Sequence, residues 1–298
     1  MWKNKIKTCV LLSVLGGLFM AVGWFCGGGV GMALALLMAI VMQGVAYFYS
    51  DRIVLALYGA QSLDKFDYAF VNQIVEELSS VMGLPMPRLW IIHTPVANAF
   101  ATGRNPENSS IVLTTGILRI LDVRELRGVL AHEMSHIYNR DVLVTSVAAV
   151  FATALGYVAS MARHYLFWGA VRGSSSNKKS SSSYGSILGM VIVAVLMPLA
   201  AMIIQLSISR SREYLADETG AHACQDPLAL AAALEKLHTS TQSAHFQTDD
   251  ATAMSTASLF IVHPFLKSNG FFELFLTHPP VEKRVEKLRM LWQSGVGR

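Results

Sequence analysis

The chain has 298 residues and a formal net charge of +4, with 53% of its residues hydrophobic and only 15% charged. Soluble domains carry about 25% charged residues, so this composition, with a mean hydropathy of +0.43, excludes an ordinary cytosolic protein and a disordered one. Cys9, Cys26 and Cys224 show no CxxC or CxxH spacing, which excludes a disulfide framework and leaves them as small hydrophobes. The basic residues form no dense run, so the charge points to a membrane surface and not to nucleic acid.

No Asp, Glu, Lys or Arg lies between Lys7 and Asp51. A membrane-crossing helix needs about 20 residues, so residues 8–26 and 30–49 predict two spans joined by Gly27-Gly28-Gly29. A cleaved signal peptide is the alternative for the first span. The apolar run continues straight into the second, with no small-x-small site in a polar flank, and a retained hairpin (1–50) is the reading. Lys3, Lys5 and Lys7 against an uncharged turn place the N-terminus in the cytoplasm.

Residues 51–141 read as the first part of a mixed α/β domain. Phe70, Ile74, Val75, Leu78 and Val81 repeat at helical spacing within 66–84. Short β-like runs follow at 89–92, 98–102 and 110–115, with Gly103 and Asn105-Pro106 as the turn between the last two. A helix begins at Asp122 and carries His132-Glu133-Met134-Ser135-His136. Positions i and i+4 share a helix face, so both imidazoles reach one ion, and Glu133 projects beside them as a general base. The ordinary alternative, a polar face with surface histidines, fits poorly beside Val129, Leu130 and Ala131.

Residues 142–206 predict a second membrane hairpin, with apolar stretches at 142–162 and 187–206 and a Ser/Lys-rich loop at 163–186. Pro198 kinks the second stretch. Arg163, Arg172, Lys178 and Lys179 in the loop conflict with a full crossing, which favours a shallow or re-entrant hairpin. Residues 207–298 then form the second part of the α/β domain. A hydrolytic zinc site needs a third protein ligand. Asn139 and Val142 occupy the positions where a near Gly and a third His would continue the motif, and no Asp or Glu occurs between Asp141 and Glu213. Glu213 is the leading candidate against a plain charged helix start. Asp217, one turn later, suits a carboxylate that orients His132. Asn139-Arg140-Asp141 carries no assigned chemistry.

Together, the N-terminal hairpin, Asn98 to Gly103, His132 to His136, Arg212 to Asp217 and Thr277-His278-Pro279-Pro280 with Arg284 resemble the HtpX-type membrane zinc metalloproteases. The wider relatives of that family include the CAAX prenyl-protein endopeptidases. The resemblance implies a mainly α membrane protein with about four transmembrane or membrane-associated helices and a small α+β, zincin-like (gluzincin) catalytic domain. It implies one Zn²⁺ held by His132, His136 and Glu213, with Glu133 as base. It also implies a substrate-binding edge strand at Asn98, Ala99, Phe100 and Ala101, and His278 and Arg284 near the cleft, where either stabilises an oxyanion. The expected enzyme is a multi-pass endopeptidase of the bacterial inner membrane. It acts at the cytoplasmic face on misfolded or unfolded membrane polypeptides, beside an ATP-dependent membrane protease. The rivals are a prenyl-protein processing endopeptidase and a catalytically silent zinc-binding scaffold.

Overall fold

The structure, a computed structural model, describes residues 2–64, 66–151, 210–243 and 279–297. Helix α1 (Trp2–Leu57) is broken at Gly27 and Gly28, the latter at φ 58°, a conformation that glycine takes without a Cβ clash. The side-chain amide of Gln43 donates to the carbonyl of Leu12 at 3.0 Å. In a straight helix these residues would stand about 45 Å apart, so the chain turns back at the glycines and its arms pack side by side. Leu15 and Ala46 meet there, joined by Val147, Ala148 and Phe151 of α5 (Val142–Phe151). The second arm, Gly27–Leu57, has 31 residues, with a mean hydropathy of 2.0 over its most apolar 18-residue stretch, and Leu34, Leu37, Ile40 and Val41 on it are exposed. It is long and apolar enough to cross a membrane. Most of the expected second hairpin, with loop 163–186, lies outside the described residues.

Four strands form one sheet in the order β1-β2-β4-β3: β1 (Gln61–Ser62), β2 (Arg88–Ile92), β3 (Ala99–Gly103) and β4 (Ser109–Thr114). β2 runs parallel to β4 and β3 antiparallel to it, so β3 is an edge of this sheet. Side chains alternate across the pleat. Leu89, Ile91, Ala99, Ala101, Ile111 and Leu113 face the helical core, whereas Ile92, Phe100 and Val112 face Val54 and Leu55 of α1 and Ala149 of α5. Burial on both faces explains why these strands read as continuous apolar runs.

Helix α2 (Ala69–Met82) starts later than its periodicity predicts, because the Asp64 carboxylate takes the N–H groups of Phe66 and Asp67 at 2.7 and 3.2 Å in a local turn. Gly83, at φ 62°, ends it. After β4 come α3 (Thr115–Ile120) and α4 (Val123–Tyr138), then α6 (Arg210–Cys224), α7 (Pro227–Ser243) and α8 (Val281–Gln293). Asp122 and Glu125 close a reciprocal capping box at the start of α4, with bonds of 2.8 and 2.9 Å. That helix is buried almost all round, packed against α2, α6, α7 and β3. It therefore serves as the axis on which both chain halves assemble.

Candidate metal centre

His132 and Glu133 lie on the buried part of α4, at 1% and 4% exposure. Helix α6 crosses α4 closely: a Cβ on Gly220 would sit 2.9 Å from the His132 backbone nitrogen. This crossing carries Glu213 and Asp217 over the two histidines. Ligand atoms of His132, His136 and Glu213 fall within 4.8 Å of one another. The two Nε2 atoms face each other at 3.2 Å, and Glu213 oxygens stand 3.8 Å from His132 Nε2 and 3.7 Å from His136 Nε2.

The partners of the other ring nitrogens fix the chemistry. Asp217 Oδ1 lies 2.9 Å from His132 Nδ1, and Asp141 Oδ1 lies 3.1 Å from His136 Nδ1. An ionised carboxylate only accepts, so each Nδ1 carries its hydrogen and each Nε2 lone pair points into the gap. Two lone pairs at that distance need positive charge between them. Burial holds His132 below the usual histidine range. On His136 burial works the same way, but Asp141, Glu213 and Glu133 outweigh it and raise it to about 10. The gap between the facing nitrogens, ringed by these carboxylates, therefore suits a cation. Nitrogens about 2.0–2.1 Å from one tetrahedral zinc stand about 3.3–3.4 Å apart, close to the spacing seen.

Charge balance agrees. Four buried carboxylates (Glu133, Asp141, Glu213, Asp217) face two buried guanidinium groups, Arg212 and Arg284. Carboxylates thus outnumber guanidinium groups around the histidines, an excess of negative charge that suits a cation. Burial raises the Glu133 carboxyl to about 7, with Glu213 adding to the shift and His136 opposing it. The Ala101 N–H donates to Glu133 Oε2 at 2.8 Å, fixing that carboxylate and leaving Oε1 for proton transfer.

Other expected residues fall as follows. Asn98 is pinned to Thr114, its N–H donating to Oγ1 at 2.9 Å, and Ala99, Phe100 and Ala101 are buried in β3 next to α4. Arg284, fully buried, lies beside the His132 ring, its Nε and Nη2 donating to Asp217 at 2.8 and 2.6 Å. These contacts set the guanidinium against the carboxylate that orients His132, with Nη1 also 3.8 Å from Glu213 Oε2. His278 lies outside the described residues.

Asp141 is the group the sequence reading left without a role. Tyr138 ends α4, and Arg140 adopts a left-handed φ of 55°. The Asp141 N–H then returns to the His136 carbonyl at 3.2 Å, which brings its side chain onto the ring. An Asn-Arg pair between a helical ligand and a carboxylate was the available signal.

Comparison with known proteins decides the family. Peptidase family M48 matches residues 67–291. The chain belongs to peptidase family M48. This M48 peptidase is a metalloprotease, and so a hydrolase. It is 47% identical to a protease HtpX homolog of Syntrophobacter fumaroxidans, over 97% of this chain and 99% of the relative. With a protease HtpX homolog of Thermococcus sibiricus the identity is 45%, over 99% and 97%. Among solved structures, Ste24p of S. mikatae superposes with a TM-score of 0.51 at 17% identity, covering 96% of this chain. The M48 peptidase spans 65% of the length of that chain, and the likeness is one of fold.

Proposed function

We propose that this chain is a zinc-dependent, integral membrane endopeptidase that cleaves misfolded or damaged membrane proteins at the cytoplasmic face of a bacterial inner membrane. In this reading it serves quality control under stress, beside an ATP-dependent membrane protease. The observation that carries the proposal is the pair of facing Nε2 atoms, each imidazole tied back by a buried carboxylate and both opposed by Glu213.

His132, His136 and Glu213 would hold one zinc ion, which when bound would supply a Lewis acid for the scissile carbonyl and acidify water. Glu133 Oε1 takes the proton of the attacking water and delivers it to the leaving amine. Asp217 and Asp141 keep the two rings aimed. Bonding groups alternate along an antiparallel strand. Because Ala101 N–H points to Glu133 and Asn98 O bonds back to Thr114, the carbonyls of Ala99 and Ala101 point outward from the sheet edge. An extended polypeptide adds there through its backbone, with little demand on sequence. The apolar hairpin keeps this edge beside the bilayer.

The test combines metal analysis and proteolysis for wild type, Glu133→Gln and Glu213→Ala, with casein and a prenylated CAAX peptide as substrates. Glu133→Gln should keep zinc and lose cleavage by about 10²–10⁴-fold, whereas Glu213→Ala should lose both. Undiminished cleavage by Glu133→Gln would overturn the mechanism. Cleavage confined to the prenylated peptide would replace the substrate class.

A further inference from the structure

Where the membrane-length arm of α1 ends, the structure builds a second polar cavity, away from the metal centre. Tyr47, Phe48 and Tyr49 are exposed on this arm, at the depth where aromatic side chains anchor in a bilayer interface. Twenty residues of helix, from 30 to 49, cover about 30 Å, the thickness of the hydrocarbon. The next turn of α1 therefore stands at headgroup level. There a cavity of about 340 Å³ is lined by Phe48, Tyr49, Asp51, Arg52, Arg88 and Arg104, within the range of about 300–1,000 Å³ typical of small-ligand sites.

The three arginines come from three elements. Arg52 belongs to α1, Arg88 opens β2, and Arg104 follows β3; the parallel register of β2 and β4 brings the last two to the same end of the sheet. Arg88 is neutralised by Asp51 at 2.7 Å. Arg52 and Arg104 have no carboxylate partner among the described residues. Their guanidinium carbons instead lie over the rings of Tyr49 and Phe48, at 5.5 and 5.4 Å. A ring face holds a guanidinium by its π surface and leaves the in-plane N–H fork open. That fork suits a phosphate oxygen pair. Two uncompensated positive charges thus converge on a cavity between an aromatic anchor and the protease sheet.

We infer that this cavity binds the phosphodiester of an anionic glycerophospholipid in the leaflet next to the protease domain. The inference rests on the membrane reading proposed above. A bound headgroup bridges α1 to β2 and to the turn after β3, and so fixes the sheet relative to the bilayer. Among the described residues, only Asp51 opposes an anion there.

The experiment uses the full chain purified in a neutral detergent and offered phosphatidylglycerol and phosphatidylcholine in equal amounts, with retained lipid read by native mass spectrometry. Wild type should retain phosphatidylglycerol preferentially. The Arg52→Gln/Arg104→Gln double variant should bind it about thirtyfold more weakly, about fivefold for each arginine removed from an anionic lipid surface. Its cleavage of casein in detergent without lipid should stay at the wild-type rate. Equal retention of the two lipids by wild type overturns the inference without recourse to any variant. So does unchanged phosphatidylglycerol binding in the double variant. Inorganic phosphate at millimolar concentration is the third arm: displacement of phosphatidylglycerol by phosphate alone would make this a free-phosphate site. Flotation of wild type with phosphatidylcholine vesicles keeps the two readings apart, since a chain that fails to float refutes the membrane reading itself.

Discussion

Gly220→Ala tests whether the metal centre depends on the closeness of two helices. An alanine Cβ at this position would lie 2.9 Å from the His132 nitrogen, and 3.1 Å from both the Ala131 carbonyl carbon and His132 Cα. Backbone atoms cannot rotate away, so α6 must withdraw from α4 by about 0.5 Å to restore ordinary contact. Helix propensity alone favours alanine by about 1 kcal/mol, whereas overpacking costs about 1–3 kcal/mol. The net effect is a loss of up to about 2 kcal/mol. Glu213 and Asp217 ride on the same helix, and metal–ligand distances tolerate only about 0.2 Å. A misplacement of about 1 Å costs about 10²-fold in rate, so half of that predicts about tenfold in kcat/KM, together with weaker zinc retention. Gly128→Ala is the comparison. Its Cβ would meet the Leu230 nitrogen at 2.8 Å, but α7 carries no ligand and can move without disturbing the site. It should lower the unfolding temperature while kcat/KM and zinc content hold. The assay is casein cleavage with metal content and thermal unfolding on the same samples. Wild-type kcat/KM in Gly220→Ala, or an equal loss in both variants, would refute the reasoning.

Asp217→Asn should weaken zinc binding about 10–100-fold in competition with a chelating dye, because a neutral amide replaces the charged acceptor that fixes the His132 tautomer. Arg284→Met strands the buried Asp217 charge and should cost about 3–5 kcal/mol in thermal unfolding. Ser146→Ala removes the hydroxyl that bonds Thr102 Oγ1 at 2.9 Å and accepts the Gly103 N–H at 3.2 Å. It should cost about 1–3 kcal/mol and raise KM at constant zinc content, since it loosens β3 and no ligand. Asp226 accepts the Ala229 N–H at 3.1 Å at the start of α7 and pairs with Arg124, so Asp226→Ala should cost about 1 kcal/mol at pH 7. Burial works to raise the Asp226 pKa, yet Arg124 and the cap hydrogen bonds bring it below the usual range. Its stabilisation is therefore present above the unfolded value of about 3.9 and is lost as pH falls through the folded one. The gap in unfolding temperature between the two proteins should close below about pH 4.

Features legible in the sequence are those with a period or a fixed spacing. The glycine break at residues 27 and 28, the α2 periodicity, the three longer strands to within a residue and the cap at Asp122 all depend on local chemistry. His132 and His136 come together because i and i+4 share a face. Glu213 was reachable because the chain holds no other acid between Asp141 and that position. Strand β1 and helix α3, two and six residues long, are too short to show a period. Asp141 was missed because its role depends on one left-handed residue, Arg140. The direction of Arg284 depends on how α8 packs against α6, a contact between helices with no local signature.

The split between the two parts of the site acquires a physical meaning once Asp141 is placed. The acid-free interval begins at the carboxylate that holds His136 and ends at Glu213, the residue opposed to both histidines. Arg212, immediately before Glu213, is buried and feels the charges of both Asp141 and Glu213. Both ends of the interval are therefore pinned at the same few side chains. Immediately after the first end, α5 turns Val147 and Phe151 onto the α1 hairpin and lays Ser146 against β3. The strand that positions Glu133 through Ala101 is thus gripped on its far side by elements that contact the apolar arms. A shift of the hairpin relative to the sheet has a short path to the base: from Ala149 and Leu55 to Phe100, and from Phe100 to the neighbouring Ala101 N–H. His132 and Glu213 are set instead by the α4–α6 crossing. Anchoring at the bilayer should consequently tune turnover more than metal affinity.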